Sequence, residues 1–219
     1  TGKNAFFDQV GSVTASVRST RHSDTPQSNT PHSRRRVSLV DYEFADLIDD
    51  LDKVRMLVDP TSTYALAAAY AMGRAMDDAI ITAALGSSDT GVAGGTAVAL
   101  PAGQKIVESG TAGLTIAKLR QAKEIIDLNS VDPSLPRHII VSPKQITDLL
   151  GTTEVTSSDF NTVKALAQGD INTFLGFNFI VSNRLAIASN KRKCIAFVSD
   201  GVALAVGKDS TARIDERAD

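Results

Sequence analysis

The chain has 219 residues, of which 42% are hydrophobic and 22% charged, and its formal net charge is −2. This composition is typical of a globular protein large enough to bury a core, as one large domain or two small ones. The single cysteine, Cys194, excludes an internal disulfide. No run is apolar and long enough to cross a bilayer, so no membrane partner is expected.

The first 59 residues form two adjacent blocks of opposite charge. Residues 1–40 carry a net charge of +4, and residues 41–59 carry a net charge of −5. Such neighbouring blocks predict ion pairs, either locally or between copies of the chain. The candidate subunit-interface residues are Arg18, Arg21, Arg34, Arg35, Arg36, Asp46, Asp49, Asp50 and Asp52.

Two alternating segments predict a long β-hairpin near the N-terminus. Residues 13–21 alternate apolar with polar side chains, and residues 35–44 do so less regularly. The polar, proline-containing stretch between them predicts a flexible loop. Because an isolated two-stranded ribbon is only marginally stable in water, this hairpin needs a surface to lie on, and another subunit is a candidate host.

Two helices are predicted after the hairpin. Residues 41–57 place apolar side chains at helical spacing on an otherwise acidic segment. Residues 61–85 contain nine alanines and no proline, preceded by Asp59-Pro60 and followed by Gly86, which are favourable start and stop signals. This second helix would be about 37 Å long, and its small side chains would let other elements pack closely against it. We call it the spine helix.

A glycine-rich stretch, residues 86–113, predicts a loop or loose hairpin with short β-like runs at Thr96–Leu100 and Lys105–Val107. A compact mixed α+β region follows from Leu114. Thr115 can cap a first helix, in which Ile116, Leu119, Ala122 and Ile126 share a face. The capping box Ser142-Pro143-Lys144-Gln145 begins a second helix, which ends at Leu149-Leu150-Gly151, and a third is predicted over 159–168. Its predicted strands are Ile139–Val141, 174–182, 194–199 and 202–207, with Asp200-Gly201 as a hairpin turn between the last two.

The order of these parts resembles that of the major capsid proteins of tailed bacteriophages, which have the Hong Kong 97-type fold. The α+β class, the extended hairpin, the spine helix and the mixed domain all have counterparts there. Several strings are similar to those of a podovirus-like branch: FFDQVG at 6–11, RRRVSLVDYEFADLIDD at 34–50, YAMGRAMDDAIITAALG at 70–86, GLTIAKLRQAKEIID at 113–127, IIVSPKQITDLL at 139–150 and LGFNFIVSNRL at 175–185.

The resemblance implies a division of the chain into functional parts. Residues 1–10 would be the remnant of an N-terminal arm and residues 11–40 the extended loop that reaches over a neighbour. Residues 41–112 would be the peripheral domain, residues 114–206 the axial domain, and residues 207–219 a strand returning to the peripheral domain. The implied partners are copies of the chain in pentamers and hexamers, scaffolding and portal proteins, and packaged double-stranded DNA, in a virion assembled in the host cytoplasm.

One feature of some family members is not expected here. Those members crosslink a loop lysine to an asparagine of a neighbouring subunit, whereas residues 13–40 of this chain contain no lysine. A covalent crosslink of that kind is therefore not predicted.

The charged clusters each have an alternative interpretation. Arg34, Arg35 and Arg36 could contact nucleic-acid phosphate, but successive residues on a strand point to opposite faces, which favours pairing with acidic groups of a neighbour. The acidic cluster at 46–52 could bind a divalent cation, but it lacks the glycine and spacing of a calcium loop, so a solvated or arginine-facing surface is favoured. Asp77-Asp78 is interpreted in the same way.

The sequence offers no catalytic or cofactor motif. His22, His32 and His138 are too scattered for a zinc site, no nucleophile elbow or phosphate loop is present, and Cys194 lies in an apolar segment typical of an inert thiol. No enzymatic activity, cofactor or metal site is therefore predicted. The leading hypothesis is a shell-forming major capsid protein; the alternatives are an encapsulin-like compartment shell and a nucleic-acid-binding module that uses the N-terminal arginines.

Overall fold

The structure, a computed structural model, describes residues 2–22, 24–47, 60–106, 113–151, 173–188, 191–213 and 215. The helices in this part of the chain are α1 (Pro60–Leu85), α2 (Ile116–Leu128) and α3 (Pro143–Leu150), with 3₁₀ turns at Ala102–Gln104 and Ser199–Gly201. The strands are β1 (Asn4–Val10), β2 (His32–Ser38), β3 (Ser87–Thr90), β4 (Thr96–Ala99), β5 (Arg137–Val141), β6 (Thr173–Phe174), β7 (Phe177–Val181), β8 (Ile187–Ala188), β9 (Lys191–Arg192) and β10 (Ile195–Val198).

The spine helix α1 confirms the strongest sequence prediction, since it runs over Pro60–Leu85 where residues 61–85 were expected. Gly86 follows it, but without the left-handed backbone expected of a terminating glycine. A Cβ at Gly86 would instead lie 3.0 Å from the carbonyl oxygen of Thr82, so the glycine serves close approach. The predicted cap, Asp59, lies outside the described residues.

The N-terminal sheet has the order β1-β2-β3-β4, and all of its neighbouring strands are antiparallel. A hairpin was predicted, but its first strand was wrong: β2 pairs with residues 4–10, which were expected to be an arm, and not with residues 13–21. The aromatic Phe6 and Phe7 lie directly opposite Arg36 and Arg35 in the register. Val17, by contrast, is 94% exposed and has nothing to pack on within the described chain.

Three further predictions for residues before 113 differ from the structure in where the elements begin or end. The second hairpin strand ends at Ser38, so residues 39–44 are not a strand. The acidic helix predicted over 41–57 is absent from 41–47, and its remainder lies outside the described residues. The glycine-rich stretch forms the hairpin β3–β4, whereas Lys105 and Ile106 form no strand.

We call the described part of residues 114–201 the second unit. Its main sheet has the order β10-β5-β7-β6, in which β5 and β7 are parallel and the other pairs antiparallel. The predicted helices α2 and α3 are confirmed. The hydroxyl oxygen of Thr115 accepts a hydrogen bond from the Lys118 N–H at 3.4 Å. Gln145 Oε1 accepts one from the Ser142 N–H at 2.8 Å, so local capping begins both helices.

The strand β5 joins two hydrophobic clusters because its side chains alternate between the faces of the sheet. On one face, Ile139 and Val141 pack with Leu119 of α2 and Leu149 of α3, and Val141 is fully buried. On the other face, Ile140 packs with Ile81 of the spine helix. The fully apolar run predicted at residues 139–141 is thus a strand covered on both sides.

Several strand predictions in this unit were wrong in detail. The segment 174–182 is two strands, because Leu175 and Gly176 have φ values of 54° and 83° and form a two-residue turn between β6 and β7. The Asp200-Gly201 hairpin does not form, since both residues lie in a 3₁₀ turn and residues 202–207 are not a strand. No strand occurs in the described part of 207–219, and the helix predicted over 159–168 lies outside the described residues.

Candidate assembly surfaces

Arg34 is bound within its own chain by the hairpin β1–β2. It lies directly opposite Asp8 in the register. Its Nε donates to Asp8 Oδ1 at 2.5 Å, its Nη2 donates to Oδ2 at 3.1 Å, and its guanidinium carbon lies 5.5 Å from the centroid of the Phe6 ring. The hydrogen bond from Arg34, followed by its charge, lowers the pKa of Asp8 below the ordinary value. The pair therefore ties β1 to β2.

Arg36 is bound in the opposite direction, towards β3. Its Nη2 donates to Asp89 Oδ2 at 3.0 Å, and its Nη1 donates to the carbonyl oxygen of Ala93 at 3.3 Å. Gly94 has a φ of +65°, and a Cβ there would lie 2.4 Å from the Arg36 Cβ. The glycine lets the β3–β4 turn close over the arginine.

Arg35 points to the other face of the sheet and has a different environment. Its Nη1 donates to the carbonyl oxygen of Arg34 at 3.4 Å, a long hydrogen bond. Among the described residues, no carboxylate forms an ion pair with Arg35. The three arginines therefore separate into two that hold the sheet together and one that is available to a partner.

The remaining candidate interface residues do not converge on one site. Arg18 lies in the exposed segment between β1 and β2, where its Nε donates to the Thr20 carbonyl at 3.2 Å, and Arg21 is exposed nearby. Asp46 accepts a hydrogen bond from the Leu47 N–H at 2.9 Å. Asp49, Asp50 and Asp52 lie outside the described residues.

Sequence reasoning missed one contact between the two units, Asp78 with Arg184. Arg184 Nε donates to Asp78 Oδ1 at 2.9 Å, and Arg184 Nη2 contacts Asp78 Oδ2. The hydrogen bond from Arg184 lowers the pKa of Asp78. The sequence predicts that Asp77-Asp78 is solvated or faces arginine, but no local pattern indicates a partner 106 residues away.

Large apolar side chains are exposed at many places along the described residues. Val13 is 58% exposed, Val92 85% and Leu128 76%. The segment between β2 and residue 47 is an example, with side-chain exposures of 67% at Val40, 54% at Tyr42 and 83% at Leu47. Several large exposed apolar side chains close together are typical of a surface that another chain covers.

A broad concave surface contains much of this apolar area. It has a volume of about 4640 Å³ and is lined by the N-terminal sheet, the spine helix, α2, β10 and the segment after β10. Phe7, Arg35, Tyr64, Met72 and Leu204 are among its lining residues. This volume is well above the roughly 300–1,000 Å³ of a small-molecule site.

The described residues do not provide a reactive or metal-binding centre. Burial raises the pKa of the Cys194 thiol to about 11, so the thiol stays protonated at neutral pH and is a poor nucleophile. His138 Nε2 lies 3.1 Å from Ser199 Oγ, and its ring stacks on Phe197. Within the described ranges, no three His, Cys, Asp or Glu side chains come together as a metal site, and no helix could span a bilayer.

Comparisons with known proteins identify a family. A family model described as phage capsid protein matches residues 1–219, the whole chain. No curated protein matches the sequence. The match to the family model does not favour an encapsulin-like compartment or a nucleic-acid-binding module.

Solved structures similar to this chain come from bacteriophages. The capsid of cyanophage P-SCSP1u matches with a TM-score of 0.60 and 22% identity over 90% of this chain and 68% of that one. A structure from mycobacterium phage Che8 has a TM-score of 0.56 and 19% identity over 90% and 68% of the two chains. The mature capsid of bacteriophage PhiM1 has a TM-score of 0.55 and 17% identity over 85% and 60%. At these identities the likeness is one of fold.

Proposed function

The chain belongs to the phage capsid protein family, a structural and non-enzymatic class of virion proteins, and from this premise we propose that it is a Hong Kong 97-type major capsid protein. In this proposal, copies of the chain form pentamers and hexamers of an icosahedral head that encloses double-stranded DNA. The observation that carries it is the family match over the whole chain. The large exposed apolar area supports it, because such surface is stabilised when neighbouring subunits cover it.

In this proposal the chain is divided into the functional parts that the family resemblance implies. Residues 11–40 act as an extended loop over a neighbour, residues 41–112 with the spine helix form the peripheral domain, and residues 114–206 form the axial domain. Residues 207–219 return towards the peripheral domain. A Cβ at Gly207 would lie 3.0 Å from a methyl of Leu39, so this segment begins beside the residue that follows β2.

The proposed contacts between copies use both charge and apolar area. Arg18, Arg21 and Arg35 of one copy meet acidic groups in the 41–59 block of another. The next copy covers the concave surface, which includes the exposed apolar side chains of residues 40–47. Scaffolding and portal proteins assist the assembly in the host cytoplasm, and DNA occupies the interior.

Electron microscopy of the expressed chain, alone and with its scaffolding protein, tests this function. Closed shells of uniform diameter are expected because identical surfaces repeat in every copy. A chain that remains monomeric in all assembly conditions would contradict the proposal. Tight, salt-sensitive binding of duplex DNA by isolated subunits would favour the nucleic-acid-binding alternative instead.

A further inference from the structure

The spine helix meets the second unit at a small joint near its C-terminal end. Ile81, 5% exposed, packs with Ile140 of β5, Leu185 and Ile195 of β10. Ala84 and Leu85 lie at the edge of this cluster. A contact made by so few apolar side chains is weakly directional, because hydrophobic burial depends on area and not on orientation.

The ion pair between Asp78 and Arg184 adds direction to this joint. Asp78 lies one helical turn before Ile81, and Arg184 directly precedes Leu185, so the pair lies beside the apolar cluster. Both guanidinium contacts go to the two oxygens of one carboxylate. Such a fork-to-fork contact fixes the relative orientation of two groups more strictly than a single hydrogen bond does.

Arg192 holds the loop that carries Arg184 by hydrogen bonds to the residues on either side of it. Arg192 Nη1 donates to the carbonyl oxygens of Asn183 at 2.8 Å and Leu185 at 3.3 Å. The Ser182 N–H donates to the Val141 carbonyl at 2.8 Å, and Gln145 Nε2 donates to the Arg192 carbonyl at 3.0 Å. The hydrogen bonds therefore run without interruption from α3 and β5 to the loop, and through Arg184 to the spine helix.

We propose that Arg184, positioned by Arg192, clamps Asp78 and thereby sets the angle between the spine helix and the second unit. The side chains of Asp78 and Arg184 are 40% and 42% exposed, so the pair contributes little to the stability of the fold. Its role is orientation. If the proposed capsid function holds, every copy in a shell repeats this angle, and the clamp thereby helps to set the curvature.

Distance measurements between two spin labels test the clamp directly. The labels replace Leu66 on the spine helix and Ile187 on β8, which are 54% and 61% exposed, in a Cys194→Ala background. An excess of unlabelled chain removes contributions from distances between copies. In the labelled chain that keeps Arg184 and Asp78, the distribution of distances between the two labels should be narrow. Either Arg184→Gln or Asp78→Asn should broaden or shift this distribution. Arg184→Lys, which keeps the charge but not the fork, should broaden it as well.

Lys144→Gln is the matched control, because it breaks an ion pair to Asp148 that lies within α3 alone. Thermal unfolding of Arg184→Gln should differ from the parent no more than that of Lys144→Gln. A distance distribution that stays unchanged in both Arg184→Gln and Asp78→Asn would overturn the clamp. The measurement needs no shells, so a chain that never assembles would contradict the proposed function and leave this test intact.

Discussion

At the scale of single residues, the pairing of Arg34 with Asp8 shows how one contact favours a strand register. The two side chains lie directly opposite each other on β2 and β1, and Phe6 lies on the same face. A shift of one residue would move Asp8 to the other face of the sheet, away from the guanidinium. The ion pair and the aromatic contact thus favour the observed register together.

This ion pair predicts an acid dependence of the N-terminal sheet. The hydrogen bond from Arg34 places the pKa of Asp8 in the folded chain below its ordinary value of 3.8. A lowered carboxylate pKa stabilises the fold above the unfolded-state pKa, and this stabilisation is lost as the pH falls through the lower, folded-state value. Carbon-13 NMR titration of the Asp8 carboxyl should therefore show a pKa below 3.8.

The matched control for this titration is Arg34→Gln, in which the pKa of Asp8 should return towards its ordinary value. Asp78, whose pKa is lowered by the separate partner Arg184, should titrate as before in that variant. An Asp8 pKa at or above the ordinary value in the parent chain would show that Arg34 does not hold this carboxylate in solution.

At the scale of elements, the sequence predicted helices more accurately than strand pairing, because helices depend on neighbouring residues and strand pairing does not. The prediction of α2 and α3 succeeded because their N-terminal capping residues and apolar spacing lie within a few residues of each helix. The spine helix was predicted from its nine alanines and the absence of proline, which are also local properties. The hairpin strands were misassigned, because alternation at 13–21 looks the same whether or not a partner strand exists. The turn at Leu175-Gly176 was missed because the alternation continues through it.

The β3–β4 turn gives a prediction at this scale. Gly94→Ala should destabilise the chain by about 2 kcal/mol or more, since a left-handed alanine costs about 1–2 kcal/mol before any clash is counted. The added Cβ would also lie 2.4 Å from the Arg36 Cβ, which is not a flexible end that can move aside. Denaturant unfolding measures this change.

Two other glycines serve as controls for the turn. Gly91 has a φ of +90° but nothing within 4 Å of its added Cβ, so Gly91→Ala should show the strain alone and destabilise less than Gly94→Ala. Gly73 lies in the spine helix with open space around it, and Gly73→Ala should stabilise by about 0.5–1 kcal/mol. Equal effects at Gly94 and Gly91 would show that Arg36 does not pack against the turn.

At the scale of the whole molecule, the unusual property is exposed area. The second unit has a buried core, whereas many large apolar side chains of the described residues are exposed, among them Val17 at 94% and Leu47 at 83%. Apolar surface of this kind is stabilised when another chain covers it. This agrees with membership of the phage capsid protein family.

The arginine run gives a prediction at this scale, because Arg34 and Arg36 are paired within the chain whereas Arg35 has no carboxylate partner among the described residues. Arg34→Glu should destabilise the subunit, since it places two carboxylates together at Asp8. Arg35→Glu should change subunit stability by no more than about 0.5 kcal/mol but impair assembly. Thermal unfolding of subunits and light scattering during assembly measure the two effects.

Two results would contradict the prediction for Arg35. If Arg35→Glu assembles at the parental rate, Arg35 does not contribute to a contact between copies. If it unfolds the subunit as strongly as Arg34→Glu does, all three arginines act within the chain, and the interface hypothesis for this run is wrong.

The sequence by itself determined the spine helix, α2, α3, the buried run at 139–141 and the family resemblance, because composition, spacing and motifs are properties of neighbouring residues. It also predicted an acidic helix over 41–57 that does not form at 41–47. Tertiary structure decided which strand pairs with β2, which arginines are already bound, and that Asp78 meets Arg184. The physical reason is sequence separation: Arg36 finds Asp89 and Arg184 finds Asp78 at distances of 53 and 106 residues along the chain. No local pattern encodes such contacts, so only the folded chain could reveal them.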